Sequence, residues 1–139
     1  LAQGNPGLLE WIAPALPHLD YLLPNDEQVL GFTGAETLSA GSRALLARGV
    51  GCVAATAGAA GALVVDADGE TLVPAFPIEV VDTTGCGDAF SAGFVRGIAL
   101  GRSPAKAAEL GCAAAAFVAQ GLGSDYGDFD LAAIEELAS

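Results

Sequence analysis

The residues with the clearest chemical content are Gly85-Cys86-Gly87-Asp88, inside the run VVDTTGCGDAF from Val80 to Phe90. An apolar stretch gives way to two glycines two apart and then to an acid that opens a small, apolar segment. A strand, a Gly-rich turn and a helix start make an anion site, because unpaired backbone N–H groups point outward and the helix dipole favours negative charge. Gly85 and Gly87 let the backbone approach a phosphate with no Cβ in the way. The chain holds only one lysine and four arginines, so such backbone donors matter more than usual. A bound polyphosphate would also need a metal ion to offset its charge. Asp88 then has two readings. It is a first-turn acid worth about 0.3–1 kcal/mol to its helix, or a carboxylate that orients a hydroxyl and takes its proton late in phosphoryl transfer.

Other candidates are weaker singly. Thr56-Ala57-Gly58-Ala59-Ala60-Gly61 lies between two strands; it lacks the Gly-Lys-Ser/Thr of a P-loop and opens no helix, so taken alone it reads as a flexible strand-to-strand turn. Asn25, Asp26 and Glu27 follow a strand and could hold a hydrated magnesium ion through oxygen, or simply cap the next segment. His18, the only histidine, sits in a loop-like context beside Pro17. Trp11 lies in an apolar helical stretch and is expected in the core. Cys86, at a helix start, is open to a lowered pKa and oxidation, or merely fills a small-residue slot.

These residues need elements to hold them. LLEWIAPAL (8–16) carries helical spacing broken by Pro14, and DYLLP reads as a short buried strand. Residues 37–48 form an amphipathic helix stopped by Gly49, followed by the strand VGCVAAT. ALVVD and ETLVPAF flank Ala67-Asp68-Gly69 as a hairpin, and IEVV (78–81) reads as the next strand. Asp88 to Leu100 is a helix with Gly93, Gly97 and Gly101 on one bare face, which predicts close helix packing within the subunit. Ser103-Pro104 starts a helix that runs to Gln120, and a short last helix follows Asp130. GLGSDYGD is a loop of the kind that borders sites. Strands alternating with helices, plus one hairpin, point to an α/β sheet with helices on its faces.

A chain of 139 residues is long enough to bury a core. Its net charge of −12 lacks the footprint of a nucleic-acid binder. No run of eighteen apolar residues supports a membrane span, and the start is not signal-like. Three cysteines without metal spacing, Cys52, Cys86 and Cys112, fit free thiols and a cytoplasmic setting. The sequence contains no methionine and opens Leu-Ala-Gln-Gly, which suggests the later part of something larger.

Taken in order, LPNDEQ, TAGAAG and VVDTTGCGDAFSAGF resemble the ribokinase-like, or PfkB, carbohydrate kinases; the last is close to that family's D-T-x-G-A-G-D signature. The resemblance runs through residues 1–139, which look like the C-terminal, nucleotide-binding and catalytic half of such a kinase domain, without the substrate and lid half. It implies part of a doubly wound sheet with helices on both faces, and ATP-dependent phosphorylation of a sugar-type hydroxyl. It makes Asp88 the catalytic base, Gly85, Cys86 and Gly87 the anion hole, and Thr56, Gly58 and Gly61 the nucleotide turn. Asn25 and Gln28 take the Mg2+-linked Asn-x-x-Glu place, with Gln for Glu. Asp82 and Thr84 fall where many members bind a monovalent cation such as K+, closed by the loop near Gly121 to Ser124. A homodimer would pair through lid strands outside this chain, and the fragment alone would have little activity. A non-catalytic nucleotide-binding or regulatory fragment is the competing reading. An α/β oxidoreductase is not, since neither glycine set has a strand–GxGxxG–helix arrangement.

Overall fold

A computed structural model describes residues 5–122 and 129–139. The chain divides into two compact units, Leu1–Ala57 with Leu63–Leu72, and Gly58–Ala62 with Val73–Ser139.

The first unit begins with helix α1 (Pro6–Ile12), capped by the Asn5 side chain with proline in its first turn. Strand β1 is only Tyr21–Leu22. Helix α2 (Asp26–Thr33) and helix α3 (Leu38–Ala47) follow, the latter capped by Thr37. Strand β2 (Cys52–Thr56) pairs with β1 in parallel, Tyr21 opposite Cys52 and Leu22 opposite Val53. Strands β3 (Ala62–Asp66) and β4 (Gly69–Val73) complete a four-stranded sheet in the order β1-β2-β3-β4. Only two residues join β3 to β4, which makes them an antiparallel hairpin. Asp66 Oδ1 accepts the Asp68 and Gly69 N–H groups and so closes the expected turn. β2 and β3 are buried along nearly their whole length, as a continuous apolar run should be. Leu9, Leu16, Val29, Leu45, Val50, Val53 and Ala55 form the core of this unit.

The second unit is built on helix α4 (Cys86–Ala99), helix α5 (Pro104–Ala119) and helix α6 (Leu131–Ala138). Ser103 caps α5 and Asp130 caps α6, each through a side-chain oxygen. The seam between α4 and α5 is made of small residues. A Cβ on Gly93 would lie 2.7 Å from the Leu110 carbonyl oxygen, and one on Gly97 2.7 Å from Ala107 Cα. Gly111 faces Phe90 as closely from the other helix. Gly101 is not in this seam: it ends the helix in left-handed conformation, φ 77°, with open space around it. Leu110, Ala113, Ala114 and Ile134 form the second core, with Phe76, Phe117 and Phe129 packed against it.

Further local expectations fail. Strand β1 is not buried, since Tyr21 is exposed and Leu22 only half-buried. IEVV forms no strand; Val80 and Val81 are 56% and 55% exposed, and the Val81 and Asp82 N–H groups both turn to the Ala119 carbonyl at the end of α5. Trp11 is 78% exposed rather than core, because Leu9, not Trp11, takes the inward position on α1. Among the described residues, no helix is long and apolar enough to cross a membrane.

Candidate active site

The turn before α4 is held at both ends. Asp82 Oδ1 accepts the Thr84 N–H at 3.0 Å and the Thr84 hydroxyl at 2.8 Å. Ala119 O accepts Val81 N at 2.8 Å, and the Cys86 thiol reaches Ala115 O at 3.6 Å. Gly85 then takes φ 81°, a left-handed step that turns the chain into the helix. The Cys86 N–H donates back to Thr83 O at 3.1 Å, so that donor of the expected anion hole is engaged. The Gly85, Gly87 and Asp88 N–H groups have no acceptor among the described residues. Nothing lies within 4 Å of where a Gly87 Cβ would be. Bare, unpaired backbone donors at a helix start fit an anion such as a phosphate group.

Asp88 stands in the first turn of α4, exposed, and its carboxylate has no hydrogen-bond or ion-pair partner among the described residues. Its place in the first turn meets the reading of a dipole-matched acid, and its free, exposed carboxylate is compatible with the reading of a proton acceptor. The Cys86 thiol is pushed up, not down, from its ordinary pKa, first by burial and then by the negative charge of Asp82. Burial and the neighbouring carboxylate both disfavour the charged form, so these surroundings do not support a reactive thiolate.

Asn25 and Gln28 form a reciprocal capping box on α2. Asn25 Oδ1 accepts Gln28 N at 2.8 Å, and Gln28 Oε1 accepts Asn25 N at 3.0 Å. Asn25 also bridges Thr56 in parallel, with Thr56 N donating to Pro24 O at 3.0 Å. Two of the separately expected site elements therefore lie side by side in the first unit. Each cap oxygen keeps lone-pair capacity, which fits a magnesium ion held through water and phosphate. No cluster of three or more His, Cys, Asp or Glu capable of an all-protein metal cage exists among the described residues.

Gly58 opens a short 3-10 turn, Gly58–Ala60, at φ 54° with empty space around it, and Gly61 N donates back to Gly58 O. Of the loop expected to close a cation site, Gly121 and Leu122 are described; Gly123 and Ser124 lie outside the described residues. A cavity of about 220 Å³ on the second unit, lined by Ala92, Arg96, Leu110 and Ile134 among others, contains none of the expected site residues. The Ala119 carbonyl, which accepts the Val81 and Asp82 N–H groups, is the part of this turn's support that no residue type announces, since a backbone oxygen leaves no mark in a sequence.

Residues 4–129 match the family described as "pfkB family carbohydrate kinase". The chain belongs to the PfkB carbohydrate kinases. A cytidine kinase of Thermococcus kodakarensis is 38% identical over 96 residues, 67% of this chain and 34% of that protein. A ribokinase structure from Thermotoga maritima superposes with a TM-score of 0.84 at 29% identity, covering 96% of this chain and 47% of the other. A candidate ribokinase II from E. coli, in complex with ATP and Mg2+, gives a TM-score of 0.83 at 26% identity, covering 95% and 43%. This PfkB chain thus spans about a third of the cytidine kinase and under half of either solved structure. The ribokinase-like α/β fold class expected from the sequence is the one these structures share.

Proposed function

We propose that residues 1–139 are the nucleotide-binding and catalytic part of a kinase that moves the terminal phosphoryl group of ATP to a hydroxyl of a sugar or sugar-like molecule. The observation that carries this is the unpartnered Asp88 carboxylate in the same helical turn as the unpaired Gly85, Gly87 and Asp88 N–H groups. Asp88 accepts the hydroxyl proton as the new O–P bond forms and the bond to the ADP oxygen breaks. The helix-start N–H groups take up negative charge on the transferring phosphoryl oxygens. Cys86 contributes shape there more than a donor, since its N–H is engaged by Thr83.

Thr56 and the Gly58–Gly61 turn bind the nucleotide, with Gly58 leaving its backbone open. Asn25 and Gln28 would hold Mg2+ through water, and that ion would supply charge neutralisation along the polyphosphate. Asp82 and Thr84 are the proposed monovalent-cation residues, in keeping with K+ as the activating ion. The acceptor contacts, the lid and any homodimer interface belong to polypeptide beyond these 139 residues, and the setting is cytoplasmic. One observation favours a second reading, a nucleotide-binding fragment without turnover: Gln28 removes the negative charge from the position where the family carries Glu.

An Asp88→Asn variant of the complete kinase, compared with its parent on a panel of sugars and nucleosides, separates the two. Loss of about 10²–10⁴ in kcat with ATP binding kept supports the base role. Unchanged turnover reduces Asp88 to a helix-start charge.

A further inference from the structure

Residues 52–57 and 63–66 belong to the first unit, whereas Gly58–Ala62 belongs with Val73–Ser139, the unit that carries α4. Gly61 makes the closest backbone contact of that turn within its unit. It takes φ 98°, and a Cβ there would fall on the Val73 carbonyl oxygen, 2.6 Å from Ala75 N and 2.8 Å from Pro74 C. Two stretches of backbone touch with no side chain between them. Just beyond, Phe76 packs on the cluster of Leu110, Ala113, Ala114 and Ile134 from α5 and α6. Gly58 differs: its φ is 54°, but nothing lies within 4 Å of its Cβ position.

Resting on the nucleotide-binding role proposed above, we infer that Gly61 is a positioning residue. It locks the Gly58–Ala60 turn to Val73–Phe76, and through Phe76 to the helical unit that bears the Gly85–Asp88 anion turn. Gly58 is the glycine that leaves backbone open to the ligand; Gly61 is the one that fastens the turn in place. The nucleotide turn and the phosphoryl turn are thereby carried by one unit, so loosening Val73–Phe76 should weaken nucleotide binding without altering any residue of either turn.

The test measures ATP affinity by calorimetry, with magnesium in excess, for the natural gene product and for Gly61→Ala, Phe76→Ala and Leu72→Ala. Leu72 is exposed on β4 and serves as the control. Losing one well-aimed backbone donor to a phosphate is worth about ten-fold in Kd. Gly61→Ala is expected to raise Kd by about ten-fold or more, Phe76→Ala by several-fold, and Leu72→Ala not at all. A purely structural role would lower the melting temperature or the binding stoichiometry and leave Kd unchanged. Should Gly61→Ala fail to fold, Phe76→Ala decides alone. Parent-like Kd in Phe76→Ala overturns the inference while nucleotide binding stands; no ATP binding by the parent refutes the nucleotide-binding role and the inference with it.

Discussion

Replacing Gly93 with alanine sets two effects of opposite sign against each other. In a helix interior the change should help by about 0.8–1 kcal/mol, because alanine has less backbone entropy to lose on folding. Gly93, however, lies in the α4–α5 seam. Its Cβ would stand 2.7 Å from Leu110 O and 2.9 Å from both Leu110 C and Gly111 Cα. All three are backbone atoms, so no rotamer change relieves the clash, and the helices must part until the shortest distance exceeds 3.0 Å. Neighbouring contacts in the seam, Gly97 on Ala107 and Phe90 on Gly111, would loosen with it. Overpacking of this kind costs about 1–3 kcal/mol, so the net expectation is a loss of up to about 2 kcal/mol. Urea unfolding followed by far-UV circular dichroism should show a lower midpoint with an unchanged slope. Ala92→Gly, on the exposed side of α4, supplies the comparison, with a loss of about 1 kcal/mol from propensity alone. If Gly93→Ala raises the midpoint, propensity rules and the seam is not tight.

Three further outcomes are expected. Ser42 is fully buried with an unpartnered hydroxyl, so Ser42→Ala should raise stability by about 1 kcal/mol in the same urea assay; a clear loss would mean that the hydroxyl is satisfied. Burial, helped by Asp66 and Glu109 respectively, pushes the Cys52 and Cys112 thiols up to about 11. An unfolded chain releases these protons near the ordinary value of 9.0 while the folded one keeps them, so their contribution is intact below pH 9 and lost as pH rises toward 11. Melting temperatures that stay level across that window would contradict the burial. Gln28→Glu keeps the capping box, since glutamate at this helix position reaches back to the Asn25 N–H equally well, and restores a negative charge. Stability should hold within about 0.5 kcal/mol while the magnesium concentration for half-maximal rate falls in the complete kinase; an unchanged magnesium response would separate Gln28 from the metal.

Much of this architecture was legible because it is local. Thr37, Ser103 and Asp130 mark helix starts by their side-chain oxygens, and Ala67-Asp68-Gly69 marks the hairpin by turn chemistry. The turn before α4 was legible for the same reason: Gly85 takes the left-handed step and the helix opens at Cys86, with Asp88 in its first turn. IEVV misled because β-branched residues favour strands only where a neighbour offers a ladder, and here the Ala119 carbonyl captures the two N–H groups first. Trp11 misled because periodicity names an apolar face without saying which residues on it turn inward. The pairing of Asn25 with Thr56 and the crossing at Gly61 join residues 31 and 12 or more positions apart, and spacing along a chain does not encode such contacts.

The α4–α5 seam has a consequence for how such a fold can change. With backbone resting on backbone at Gly93 and Gly97, α4 has little freedom to slide or tilt, so under the proposed base role Asp88 would be a fixed datum against which an acceptor is presented. On that proposal, selection for a different acceptor would have little to gain by moving the carboxylate. It would have to act on whatever brings the hydroxyl to it.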